Sequence, residues 1–361
     1  MKNIHRFLLI FFFIASVSPA FASDDEHDGN AHQTTHEQEK FEPGNFILGH
    51  IADAYEWHVF STGDFHFTAP LPVIVYSKYS GLHVFMSSKF HHGHESYQRF
   101  EIAKTGDYKG KIVETVAGKQ IRPLDVSMTK NVVAMLTSMF ILLWVFISVA
   151  KSYKQRKGQA PKGMQSLVEP IILFVRDEIA KPAIGEKKFE KFMPYLLTIF
   201  FFIWLNNLMG IVPLLPGGAN VTGNITITLV LALFTFIITS INGNKAYWVH
   251  MVNTPGVPWW LKFPIPLMPI VEIMGLFTKP FVLMVRLFAN IAAGHMIIMA
   301  FVSLIFIFGQ VNLSLGLGAS VISVLFMIFM TLLELLVALI QAYVFTLLSA
   351  LYFGMATEEH H

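Results

Sequence analysis

The sequence predicts an all-α polytopic membrane protein, with about five transmembrane helices and one amphipathic helix along the cytoplasmic interface, joined to a small β-rich domain outside the membrane. Three observations lead there. Of 361 residues, 54% are hydrophobic and only 14% are charged, and mean hydropathy is positive. After Thr129 the chain is dominated by apolar stretches long enough to cross a bilayer. Before Val126, short runs of β-branched and aromatic residues are separated by turn residues.

Lys2 and Arg6 precede an apolar stretch, Phe7 to Val17, that is too short to span and leads into Ala20-Phe21-Ala22. This predicts a cleaved secretory signal peptide over residues 1–22, with the mature chain starting at Ser23 outside the cytoplasm; an uncleaved anchor helix is the alternative. Residues 23–40 are polar and His-rich, cannot bury a core, and are expected to be disordered. Residues 41–126 are expected to form the β-rich extension. Pro72 to Tyr76 and Leu82 to Met86 read as strands around a Ser77 to Gly81 turn, and Tyr97 to Ile102 and Lys111 to Val116 as further strands.

The membrane domain is expected over residues 127–361. Val132 to Ala150 is the first span, followed at once by Lys151, Lys154, Arg156, Lys157 and Lys162. Lys and Arg accumulate on cytoplasmic loops, so this loop faces the cytoplasm, in agreement with an exported N-terminus. Val168, Ile171, Ile172, Val175 and Ile179 recur at helical spacing among Glu169, Arg176, Asp177, Glu178 and Lys181, the pattern of an interfacial amphipathic helix. Phe192 to Val212 forms a second span, with an uncharged exit loop from Pro213 to Gly223, and Asn224 to Ile241 returns inward. Lys245 and Lys262 then flank a Pro-rich connection with Trp248, Trp259 and Trp260 at interface depth. Leu267 to Gly309 and Leu317 to Phe353 complete the five, separated by a polar loop, Gln310 to Gly316. As one helix the first of these would measure on the order of 60 Å, about twice a hydrocarbon core, so the pair must tilt or bend as a long antiparallel hairpin.

Arg286 is the costliest residue in that hairpin, because a guanidinium at bilayer depth is unfavourable by roughly 2.5–3.5 kcal/mol on insertion scales. Asn290 follows one turn later on the same face, whereas His295 lies nine residues on and points to roughly the opposite side. On the last span Glu334 and Gln341, seven apart, share a face. Arg286 and Gln341 are nearly symmetric about Leu313 and Ser314, and so are His295 and Glu334. An antiparallel turn there sets Arg286 level with Gln341 and His295 level with Glu334. The second pair joins an imidazole to a carboxylate and can pass protons. His295, Glu334 and Gln341 each also have a plain reading as satisfied interior polar groups, and Arg286 as a side chain that snorkels. Ala289, Ala292, Ala293 and Gly294 permit close approach of another helix, which suggests that the counter-charge of Arg286 arrives from a different polypeptide.

Arg286-Leu-Phe-Ala-Asn-Ile-Ala-Ala-Gly-His295 resembles the signature of subunit a of the rotary F-type ATP synthase, and Leu339-Ile-Gln-Ala-Tyr-Val-Phe345 resembles the motif on its last helix. Trp204-Leu-Asn-Asn-Leu-Met-Gly-Ile-Val-Pro213, Ala219-Asn-Val-Thr222, Glu272 through Thr278-Lys-Pro280 and the tail Met355-Ala-Thr-Glu-Glu-His360 resemble the same family in the same order, from about Asp125 onward. The resemblance implies a non-catalytic, proton-translocating stator subunit in the cell inner membrane, with an extracytoplasmic N-terminus and a cytoplasmic C-terminus. It implies Arg286 facing a ring of c subunits, two offset aqueous half-channels, and a proton path lined or supported by Asn290, His295, Glu334 and Gln341. Glu272 is a weaker candidate for the exit mouth. The peripheral-stalk subunit b and the catalytic sector are implied partners, and no cofactor is implied. Many bacterial members have a carboxylate where this chain has His295 and a His where it has Glu334, so the pair is exchanged here. Where many have an Asp before the exit loop, this chain has Gly210, to which no role is assigned. The extension before Asp125 is longer than in most members and resembles one that some Bacteroidetes carry.

A secondary transporter or channel binding an anion at Arg286 is the alternative from another class, but no internal repeat supports it. A membrane haem protein would need a second His inside a span. Cysteine is absent, which excludes disulfides and thiolate metal sites. His91-His-Gly-His94-Glu95 could bind a transition metal, although a solvated cluster is the simpler reading.

Overall fold

Strict alternation of burial along Pro72–Ser77 organises the N-terminal region: Val73 and Val75 are fully buried while Tyr76 faces out. In the computed structural model the described residues are 43–44, 47, 53–62, 65–93, 95–106, 108–116, 118–212, 218–252 and 267–358. The expected signal segment 1–22 and polar segment 23–40, Pro213 to Gly217 of the exit loop, and Trp259, Trp260 and Lys262 lie outside them.

Strands β1 (Glu56–Thr62) and β2 (Phe65–Pro70) pair antiparallel, β3 (Pro72–Ser77) and β4 (Gly81–Met86) form a hairpin, and β5 (Phe100–Ile102), β6 (Ile112–Val116) and β7 (Lys119–Ile121) form a meander. The β3–β4 hairpin and β6 fall where the sequence places strands, while β5 is shorter than expected. β1, β2 and β7 were not anticipated, although Thr62 and Phe65 frame a Gly-Asp pair of the kind that marks a tight turn. Gly81 closes the β3–β4 turn at φ +84°, a conformation that disfavours any Cβ. Tyr55, Val73, Val75, Phe90, Phe100 and Ile112 make the core of this region. A last strand, β8 (Leu124–Asp125), adds to β3, and the ladder continues through Val126 N donating to Ile74 O (2.9 Å) and Met128 N to Pro72 O (3.0 Å).

Two residues later the first long helix begins. Helix α1 (Lys130–Gln155) is fastened at its start by the β region, since Lys130 N donates to Ala54 O (2.9 Å) and Asn131 N to Asp53 Oδ1 (3.1 Å). These bonds satisfy two of the free amides that every helix leaves at its N-terminus. The expected amphipathic helix is a composite: α2 (Met164–Phe174), a π-helical stretch Val175–Ala180, and α3 (Lys181–Ile184). Pro182 has no N–H for the carbonyl of Glu178, and the widened turn before it absorbs that loss. Val168, Val175 and Ile179 are buried as their spacing predicts.

Helices α4 (Phe189–Ile211), α5 (Ile225–Asn242), the short α6 (Lys245–Val252), α7 (Leu267–Val311) and α8 (Leu313–Thr357) follow. Among the described residues five helices, α1, α4, α5, α7 and α8, are long and apolar enough to cross a membrane. The bundle core joins Leu196, Phe200 and Ile203 of α4 to Leu283 and Leu287 of α7 and to Phe345 and Phe353 of α8, with Phe192 stacked on Phe353 at 4.7 Å between ring centres.

The hairpin turn differs from expectation. Instead of a loop from Gln310 to Gly316, only Asn312 interrupts the helices, and its side chain accepts from Ser314 N (3.0 Å) as the N-cap of α8. An Asn that can cap the next helix makes the remaining polar residues of that stretch compatible with helix.

Candidate functional site

Arg286 and Asn290 are both exposed, on a face of α7 that includes the exposed apolar residues Val282 and Val285. Ile297 of α7, and Leu336 and Ile340 of α8, are exposed apolar residues in the same stretch of the hairpin. The i, i+4 spacing read from the sequence thus becomes a shared surface. None of the described carboxylates pairs with Arg286. A guanidinium on an apolar surface of the spanning helices is a cation whose partner is not among this chain's described acids.

His295 is turned into the bundle. Its Nδ1 is hydrogen-bonded to Glu334 Oε1 across the hairpin, and the His and Glu side chains are 18% and 5% exposed. The two residues, nearly symmetric about the hairpin turn, meet at one level. Gly294 makes room for it, because a Cβ there would stand 3.1 Å from Glu334 Oε1. On the other side of the imidazole, a Cβ on Gly210 would lie 3.8 Å from His295 Nε2 and 3.4 Å from the carbonyl oxygen of Ala219. The residue to which no role was assigned therefore leaves an open flank beside the second ring nitrogen.

Around that flank is a polar group that the sequence reading did not single out, although its residues were quoted among the motifs. Thr222 donates its hydroxyl to Asn207 Oδ1, and Asn207 Nδ2 donates to the carbonyl of Ala338 on α8 (3.3 Å). Asn206 Oδ1 and Asn220 Nδ2 are buried with no hydrogen-bond partner among the described residues. Buried amide groups left this way are favourable sites for internal water. An Asn-Asn pair inside an apolar span was the signal that could have found them.

Gln341 is buried at 6% exposure on the same helix as Glu334. Contacts along the hairpin join Gly309 to Gly316, Phe301 to Phe326, His295 to Glu334, and Lys279 to Tyr352, so the midpoint of successive pairs moves steadily toward the C-terminus. Long helices that cross at an angle slip in register in this way.

At the opposite end of the bundle from the β region, a cavity is lined by Thr235, Thr239, Tyr247, Lys279 and Tyr352. Lys279 Nζ stands 5.6 Å from the centre of the Tyr352 ring. Burial, and then the Glu272 carboxylate, push the pKa of the Tyr247 hydroxyl above its ordinary value. Glu272 is thus close to this cavity, on the entry turns of α7. His91 and Glu95 of the external cluster face each other at 3.7 Å, both well exposed; His94 lies outside the described residues, and no group of three or more potential metal ligands occurs among those described.

The family model described as ATP synthase A chain matches residues 132–354, and a model described as a domain of unknown function matches residues 46–132. The chain is 44% identical to the ATP synthase subunit a of Chloroherpeton thalassium over 250 residues, which are 67% of this chain and 70% of the relative. It is 47% identical to ATP synthase subunit a 2 of Prosthecochloris aestuarii, over 64% of this chain and 69% of the relative, and 43% identical to the subunit a of Anaeromyxobacter dehalogenans, over 66% and 60%.

Proposed function

The chain belongs to the ATP synthase A chain family, and from that premise we propose that it conducts protons through two offset half-channels against a rotating ring of c subunits. The single observation that carries this reading is Arg286, exposed on an apolar helix face and paired with no carboxylate among the described residues. That is the geometry required of a cation whose counter-ion arrives on another subunit.

The outer half-channel enters at the end of the bundle that bears the β region, passes Thr222, Asn207 and the open flank at Gly210, and reaches the His295–Glu334 pair. An imidazole bonded to a carboxylate can take a proton at one nitrogen while releasing one at the other, which suits a relay between water and the ring. Gln341 and Asn290 orient water and the guanidinium. A ring carboxylate protonated from this side is neutral and can turn through lipid. On returning to Arg286 it is held as an anion, because the nearby positive charge lowers its proton affinity. Its proton leaves through the inner half-channel, for which the cavity lined by Thr239, Tyr247 and Lys279, beside Glu272, is the proposed route. The fixed charge of Arg286 keeps protons from passing directly between the two paths.

In this arrangement the β region and N-terminus face outward, the C-terminus is cytoplasmic, and the chain sits in the cell inner membrane with subunit b and the catalytic sector as further partners. Replacing Arg286 by Gln in the assembled complex tests the reading. Proton-driven ATP synthesis should be abolished while subunit composition stays intact, and retained synthesis would refute it.

A further inference from the structure

We propose that the β-rich region is a clamp on the outer half-channel, with Trp57 as the residue that positions the channel's entrance segment. Trp57 on β1 is 3% exposed and forms one buried cluster with Ala134 of α1 and with Ala219 and Val221 of the segment between α4 and α5; Ala69 of β2 and Ile227 of α5 pack against it. Residues 219–222 have no regular secondary structure, yet all four are buried to 4% exposure or less. A stretch outside helices at the mouth of a helical bundle stays that buried only if something covers it. The indole is that cover.

The covered segment borders the relay. Ala219 supplies the carbonyl oxygen beside Gly210, which flanks His295 Nε2, and Thr222 supplies the hydroxyl bonded to Asn207. A shift of this segment therefore alters the wall next to the imidazole. The clamp is itself anchored, because Asp53 and Ala54, just before β1, bond the first amides of α1, and β8 runs from the β3 ladder into the same helix. Trp57 is thus held by a scaffold that continues into a membrane span.

Unmet polar groups at the junction give the clamp a second property. Thr68 Oγ1 on β2, Thr129 Oγ1 and Asn131 Oδ1 at the start of α1, and Asn220 Nδ2 in the entrance segment are buried without hydrogen-bond partners among the described residues. Such groups are normally satisfied by water. Their placement on both sides of the Trp57 cluster points to a hydrated vestibule under the β region, through which outside protons reach Gly210 and His295.

The inference rests on the reading of His295 as part of the outer path, and its test has an arm that does not depend on that reading. The chain has no cysteine, so Val221→Cys introduces a single thiol into the subunit. In assembled complexes, a membrane-impermeant thiol reagent applied outside should label Val221→Cys slowly, and severalfold faster when Trp57→Ala is added. Proton conduction through the membrane sector should fall severalfold in Trp57→Ala, with a shift in its dependence on outside pH but not on inside pH, and Trp57→Phe should restore most of both. Equal labelling with and without Trp57, or an unchanged outside-pH profile in Trp57→Ala, overturns the clamp. If Trp57→Ala does not assemble, Trp57→Leu is read in its place against the same two criteria. Changed labelling with an unchanged pH profile leaves the indole as packing alone and also overturns the positioning role. Failure of Arg286→Gln to abolish synthesis would remove the channel reading without touching the labelling result.

Discussion

His295 Nδ1 and Glu334 Oε1 are hydrogen-bonded across the α7–α8 hairpin from positions 39 residues apart. The contact joins one ionisable group from each long helix in a buried setting, so each side chain is the other's principal polar partner. Substituting either alone leaves a buried group unsatisfied, at a cost of about 1–3 kcal/mol. His295→Glu combined with Glu334→His keeps one imidazole and one carboxylate at the same level. The double exchange should therefore carry more proton flux than either single change, measured as passive conduction through the membrane sector. Losses that simply add would show that the two residues act independently.

Gly210 offers a way to separate conduction from stability. Within a helix, Ala is favoured over Gly by about 1 kcal/mol, so Gly210→Ala should not weaken the fold. The new methyl would stand 3.8 Å from His295 Nε2 and 3.4 Å from Ala219 O, in the flank through which protons are proposed to arrive. Assembly should be normal and proton conduction reduced, and Gly210→Leu should reduce it further. Unchanged conduction in both variants would place the outer path elsewhere.

These two residues also show what the sequence could and could not reveal. The His295–Glu334 pairing followed from symmetry about the hairpin, because an antiparallel turn needs no side-chain detail to set equal depths. The open flank at Gly210 depends on a carbonyl from the segment at 219 and on an imidazole from another helix, relations that no local pattern encodes. In the β region, runs of β-branched and aromatic residues around a turn placed the β3–β4 hairpin, and the structure shows β3 burying alternate side chains. The docking of Trp57 on Val221 was not legible, because both residues read as ordinary apolar positions until the fold brings β1 onto the bundle.

Thr222 tests the polar wall of the entrance. Its hydroxyl satisfies Asn207 Oδ1 in a site where Thr222 is 1% and Asn207 3% exposed. Thr222→Val keeps the shape and removes the donor, which should destabilise the subunit by about 1–3 kcal/mol. Thr222→Ser keeps the donor and should be much milder. Thermal unfolding of the solubilised subunit measures the difference, and a larger loss in Thr222→Ser than in Thr222→Val would mean that the methyl, not the hydroxyl, matters.

Tyr55 links the stability of the β region to pH. Burial, and then the hydrogen bond to Asp125, hold its hydroxyl well above the ordinary value of 10.0. The folded state therefore favours the protonated phenol. Stability from this group is fully present below the unfolded value and declines as pH rises above about 10 toward the raised folded value. Tyr55→Phe removes the titrating group, so its β region should be less stable at neutral pH yet show a flatter alkaline decline. Near-ultraviolet circular dichroism of the full chain across that range reads both effects. A variant whose alkaline transition matches that of the parent would assign the decline to other groups, and would leave the Tyr55–Asp125 bond as a neutral contact without linkage.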